Sequence, residues 1–122
     1  MAAILIVDDE PAIRKLLAVM FQDKKHAVYQ ASNGVEALDI LESKAIELMI
    51  IDIVMPEQGG IETIMKAREE NTDLKIIVIS GRVSIDNDAF QNLIKQYKVN
   101  HVFDKPFNKD EIYKTVMDLV AS

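Results

Sequence analysis

The chain has no cysteine and no tryptophan. Without thiols there is no disulfide framework, no thiolate metal site and no cysteine nucleophile. Three prolines and four glycines among 122 residues leave no Pro-rich or Gly/Ser-rich stretch that would mark a linker. No segment repeats another. Basic charge is also scarce, with 14 Lys and Arg against 20 Asp and Glu, a formal net charge of −6. A chain with this balance and no basic run suits neither nucleic acid nor an anionic membrane surface. The apolar residues before Asp8 are too few for a signal peptide or a membrane span. A soluble cytoplasmic protein is the expectation, with no direct nucleic-acid binding and no membrane partner.

The length fits a single domain over residues 1–122. A domain of this size buries roughly two-thirds of its unfolded surface, enough for a real core. Short apolar runs, "AILIV" (3–7), "AVYQA" (27–31), "ELMII" (47–51), "KIIVI" (75–79) and "HVFD" (101–104), read as strands. Between them lie amphipathic helical patterns. Ile13, Leu16, Leu17, Met20 and Phe21 make one apolar face; Gly34, Ala37, Leu38 and Leu41 a second; Ile61, Ile64 and Met65 a third. Phe90, Leu93, Ile94 and Tyr97 make a fourth, and Ile112, Val116, Leu119 and Val120 a fifth. Pro11 suits a first helical turn, and Asn33/Glu36 and Asn108/Glu111 have capping-box spacing. Five strands alternating with five helices predict an α/β fold. It is a (βα)5, doubly wound, parallel five-stranded sheet covered on both faces, a flavodoxin-like three-layer sandwich.

Ligands of such sheets bind beyond the carboxyl ends of the strands, where the strand order reverses. The conspicuous polar residues gather at those ends. Asp8 and Asp9 follow the first strand, Asp52 ends the third, Ser80 follows the fourth, and Lys105, before Pro106, follows the fifth. With strand order 2-1-3-4-5, Asp8, Asp9 and Asp52 converge. Two carboxylates ~4 Å apart repel by about 4 kcal/mol at an effective dielectric near 20. Such a cluster must hold either a proton or a cation. Oxygen donors without His or Cys suit a hard cation, and Mg²⁺ fits. A metal beside a carboxylate, with Lys105 and Ser80 opposite, points to phosphoryl chemistry, with the carboxylate as nucleophile.

These motifs resemble those of the receiver domain of two-component response regulators, over nearly the whole chain. "VDDE" (7–10) is similar to the family's acidic pair, and "DIVMPEQGG" (52–60) to its phosphoacceptor motif, with Met55-Pro56 and Gly60 in place. "VISG" (78–81) is similar to its hydroxyl-plus-small-residue motif, and "DKPF" (104–107) to its Lys-Pro motif. The resemblance implies that Asp52 accepts a phosphoryl group from a phosphohistidine on a sensor histidine kinase or phosphotransfer domain. It implies that Asp9 and Asp52 touch Mg²⁺ directly, Asp8 acts through water, and the Val54 backbone carbonyl supplies a further ligand. Ser80 and Lys105 would bind the phosphoryl group. Phosphorylation would shift an equilibrium between two surface arrangements, moving the loops after the third and fourth strands and the fourth helix. The chain would be a signalling domain rather than an enzyme, monomeric or a weak phosphorylation-linked dimer, acting on a downstream target. Only Ala121 and Ser122 follow the fifth helix, so no output domain is expected in the chain.

The sequence departs from the family pattern in places. Val102 stands where receivers carry Tyr or Phe, three residues before the Lys, with Phe103 beside it. The stretch "GRVSIDNDAFQ" (81–91) is longer than usual and predicts a longer loop or a shifted fourth helix. Arg82 either reaches the phosphoryl group or sits in solvent. His26 and His101 lack ligand spacing, and Lys66, Arg68, Glu69 and Glu70 read as a solvated helix face. Three rival readings are weaker. A haloacid-dehalogenase-type phosphatase needs an Asp where Val54 stands. A receiver-like interaction module would have no need of the full set Asp8, Asp9, Asp52, Ser80 and Lys105. A flavodoxin would not place acids where its flavin phosphate binds.

Overall fold

The computed structural model describes residues 2–22, 26–53, 59–81 and 88–120. Five strands alternate with five helices: β1 (Ala3–Val7), α1 (Pro11–Gln22), β2 (Ala27–Ala31), α2 (Gly34–Ser43), β3 (Leu48–Asp52), α3 (Gly60–Glu70), β4 (Lys75–Ser80), α4 (Asp88–Gln96), β5 (His101–Asp104) and α5 (Lys109–Val120). All strand pairings are parallel, in the expected order β2-β1-β3-β4-β5.

Alternation along each strand assigns the two faces. Ile4 and Ile6, Leu48 and Ile50, and Ile77 and Ile79 pack with Leu17, Phe21, Ile112 and Val116 of α1 and α5. Leu5 and Val7, Met49 and Ile51, and Ile76 and Val78 pack on the other side with Ala37, Ile64, Ala67 and Phe90 of α2, α3 and α4. Both faces of the three central strands are therefore dry, which is why they read as unbroken apolar runs. The rings of Phe21 and Tyr113 stack at 6.1 Å and join α1 to α5.

Two strands end later than the sequence suggests. β3 and β4 run one residue further, because Asp52 pairs with Ile79 and Ser80 with Asp104. Two side chains assigned to helix core faces lie outside them. Leu16 is 41 % exposed and Ile61 39 %. The buried stripes are instead Leu17, Ala18 and Phe21 on α1, and Gly60, Thr63, Ile64 and Ala67 on α3. Leu16 and Ile61 each sit one residue, about 100°, off those stripes.

Pro11 opens α1 as expected. At α2, Asn33 Oδ1 accepts from the Glu36 N–H at 2.9 Å. The Glu36 carboxylate accepts from the N–H and hydroxyl of Ser32, the residue before the cap. Asn108 caps α5 by accepting from the N–H groups of Asp110 and Glu111. Arg68 is not a solvated charge. Its guanidinium donates to the carbonyls of Tyr97 (2.8 Å), Lys98, Asn71 and Thr72 (3.1 Å each), tying the end of α3 to the end of α4. Its neighbours Lys66, Glu69 and Glu70 are exposed. His26 Nδ1 accepts from the Ala2 N–H, and His101 packs on Phe103.

Gly60 couples the fold to the carboxyl end of β3. A Cβ there would lie 2.4 Å from Ile53 Cα and 2.6 Å from the Asp52 carbonyl oxygen. Helix propensity alone favours Ala over Gly by about 1 kcal/mol, but here backbone would have to move. Gly60→Ala is expected to destabilise by about 2 kcal/mol in a urea titration, the reverse of the propensity effect; a stabilised variant would show that the helix start tolerates a Cβ.

Candidate functional site

The strand register delivers the site. Val7 pairs with Ile51 and Asp52 with Ile79, so Asp8 lies one step past the β1 ladder, level with Asp52. The parallel ladder continues beyond the strand ends: Asp8 N–H donates to the Ala31 carbonyl (3.1 Å), Ile53 N–H to Ile79 (3.3 Å), and Lys105 N–H to Ser80 (3.1 Å). Each polar residue therefore leaves a pinned backbone. The Asp8 loop is also held from α1, where Arg14 Nη1 donates to the Asp8 carbonyl at 2.7 Å. The Lys105–Pro106 peptide bond is cis.

Lys105 is the centre of the cluster. Its Nζ lies 3.0 Å from Asp52 Oδ2, 3.0 Å from Glu10 Oε1 and 3.1 Å from Asp8 Oδ2. Its side chain runs past Gly81, where a Cβ would come within 3.2 Å of Lys105 Cδ. A small residue after Ser80 thus leaves the lysine its path. Asp8 and Asp52 are buried, while Asp9 and Glu10 face solvent. Ser80 is buried at the end of β4, beside the Lys105 backbone.

Burial opposes the charge on Lys105, but its hydrogen bonds to Asp52 and Glu10 and its ion pair with Asp8 outweigh burial and hold its pKa well above the usual lysine range. Burial lifts the Asp8 carboxyl above the usual Asp value and the Asp52 charge adds to the lift, against the Glu10 N–H bond and Lys105. At neutral pH the ammonium is charged and offsets part of the cost of burying these acids.

The residues present fit a hard divalent cation. Asp8, Asp9, Glu10 and Asp52 each offer a carboxylate oxygen, and these atoms lie within 4.8 Å of one another. Asp8 Oδ2 is buried, has Lys105 nearby, and makes no well-aligned hydrogen bond. An all-oxygen donor set with such an atom is the chemistry Mg²⁺ uses. Four of the residues singled out from the sequence, Asp8, Asp9, Asp52 and Lys105, thus share one cluster, with Ser80 at its margin. Val54, Met55-Pro56 and Arg82 lie outside the described residues. Sequence reasoning left out Glu10 as a partner of Lys105; its signal was its place as the third acid of "VDDE". It also left out Arg14, for which no local signal exists.

The response regulator receiver domain family matches residues 4–117. Sensor kinase CckA of Brucella abortus is 33 % identical over 98 % of this chain, which spans only 12 % of that protein. Sporulation initiation phosphotransferase F of Bacillus subtilis is 33 % identical over 93 % of this chain and 89 % of its own length. A solved structure of response regulator protein TrrA from Thermotoga maritima, in complex with Mg²⁺-BeF, is 34 % identical, covers 98 % of this chain and 99 % of that one, and superposes with a TM-score of 0.80.

The cluster makes a direct demand on Lys105. Lys105→Met removes the ammonium that contacts buried Asp8 and Asp52, and is expected to cost about 2 kcal/mol in thermal unfolding without metal. Millimolar Mg²⁺ should restore more stability to this variant than to the unsubstituted protein. Equal gains from Mg²⁺ in both would mean that ammonium and cation do not answer the same charge.

Proposed function

This chain belongs to the response regulator receiver domain family, and on that premise we propose that it is a phosphoacceptor in a two-component phosphorelay. Receiver domains of this family are signalling domains that pair with sensor histidine kinases and phosphotransfer proteins. The donor here is a phosphohistidine on such a kinase or phosphotransfer domain, and the acceptor is Asp52. An Asp52 carboxylate oxygen attacks phosphorus. The P–N bond to the donor imidazole breaks, and its electron pair stays with the departing nitrogen.

The chain's own groups do three things. Asp8 and Asp9, with Asp52 and the Val54 carbonyl, would hold Mg²⁺, which would supply positive charge to offset that of the transferred group. Lys105 is already 3.0 Å from the Asp52 carboxylate and stays charged, so its ammonium is available to a phosphoryl oxygen on that same side chain. Ser80 donates a hydrogen bond to another of those oxygens. That three-way contact of Lys105 with Asp52 and its acidic neighbours is the observation carrying this reading. The Mg²⁺-BeF complex of the Thermotoga relative supports the choice of metal.

Phosphorylation then shifts the balance between two surface arrangements that a downstream protein distinguishes. No described helix is long and apolar enough to cross a membrane. A cytoplasmic protein, monomeric or weakly dimeric when phosphorylated, fits the same scheme.

Incubation with acetyl phosphate and Mg²⁺, followed by intact mass measurement, tests the assignment. A gain of one phosphoryl unit is expected, absent in Asp52→Asn and abolished by chelating the metal. No gain in the unsubstituted protein would favour a receiver-like module that only binds partners.

A further inference from the structure

We propose that Glu10 is a positioning residue that competes with an incoming phosphoryl group for the Lys105 ammonium and so restrains phosphorylation of Asp52. The inference rests on the phosphoacceptor reading and adds a regulating side chain to that site.

Three carboxylates share the ammonium, and they differ in kind. Asp8 and Asp52 are buried, where little solvent screens their charge. The Glu10 side chain is 58 % exposed and stands at the rim, 3.0 Å from Lys105 Nζ, whose own side chain is 18 % exposed. A phosphoryl group arriving on Asp52 brings anionic oxygens that need this same ammonium. Lys105 has to give up a carboxylate to serve them. The solvent-screened pair with Glu10 is the weakest and the one that opens.

Glu10 is also mounted firmly enough to act as a tether. Its N–H donates to Asp8 Oδ1 at 2.9 Å. Its carbonyl accepts from the N–H groups of Ile13 and Arg14 at 3.2 Å each, in the first turn of α1. Pro11 follows it, with a fixed φ. The backbone is held from both sides, so side-chain rotation alone decides whether the carboxylate reaches the lysine. An acid in solution would exert only its charge; this one also exerts a direction.

The two effects separate by substitution. Glu10→Gln removes both the charge and the ion pair. Glu10→Asp keeps the charge, but one methylene shorter it falls short of Lys105. Phosphorylation time courses with acetyl phosphate at saturating Mg²⁺, read by intact mass on variants whose thermal unfolding shows them folded, provide the test. Saturation removes any change in metal affinity from the comparison. Both variants are expected to take up the phosphoryl unit about fivefold faster than the unsubstituted protein, the size of one exposed ion pair. Unchanged or slower uptake in Glu10→Gln overturns the proposal. So does a Glu10→Asp variant that matches the unsubstituted rate, since charge alone would then account for the effect. Failure of the unsubstituted protein to be phosphorylated at all would remove the phosphoacceptor reading itself, and this restraint with it.

Discussion

One ammonium among three carboxylates sets the terms for this molecule. A parallel sheet of order β2-β1-β3-β4-β5 places the ends of β1, β3 and β5 along one edge, and this sequence puts Asp8, Asp52 and Lys105 there. Acids this close repel strongly in a medium less polar than water. Lys105 answers that repulsion with contacts of 3.0–3.1 Å to Asp52, Glu10 and Asp8. The dry strands on either side supply the remaining restraint. Ile4 to Val7 and Leu48 to Ile51 are buried on both faces, so the acid-bearing chain ends cannot drift apart without opening the core.

The same economy governs the backbone around the site. The ladder bonds from Asp8, Ile53 and Lys105 prolong the sheet just past its last residues, so loop positions inherit the rigidity of strands. Two glycines leave space near the site. At Gly60 a side chain would strike the backbone of Asp52 and Ile53, and at Gly81 it would crowd the stem of Lys105. Neither has a positive φ, so room rather than backbone freedom selects glycine. Farther from the cluster, Arg68 closes the bottom of the α3–α4 side by satisfying carbonyls at two chain turns. Helix and loop ends leave such carbonyls without internal partners, and a planar five-donor group can satisfy several at once.

Membership of the receiver family fixes a fold and a type of site, while the proteins that carry such domains differ widely. The chain matches 12 % of one kinase and 89 % of a small phosphotransferase at the same identity. A shared scaffold therefore says little about what lies downstream, which depends on the surfaces each relative presents. Here those surfaces include exposed Leu16 and Val19 on α1, and Val102, partly buried against the core where the family pattern has an aromatic ring.

Much of this could be read from the chain alone. Strand and helix positions follow from local periodicity, so four of the five strands begin at the residue expected. The identities of Asp8, Asp9, Asp52, Ser80 and Lys105 stand out because acids, a hydroxyl and a lysine each end an apolar run, and parallel topology leaves the strand ends together. Tertiary structure decided what local pattern cannot encode. Glu10 meets a lysine 95 positions away. Arg68 turns from an apparent surface charge into a bridge between chain turns about 30 positions apart in sequence. Leu16 leaves the core although its spacing fits a helical face, because a stripe broad enough in sequence is narrowed by the helices and strands that pack on it. Periodicity is a property of one segment and survives in the sequence; pairing between segments depends on where the folded chain brings them, and only the assembled sheet determines that.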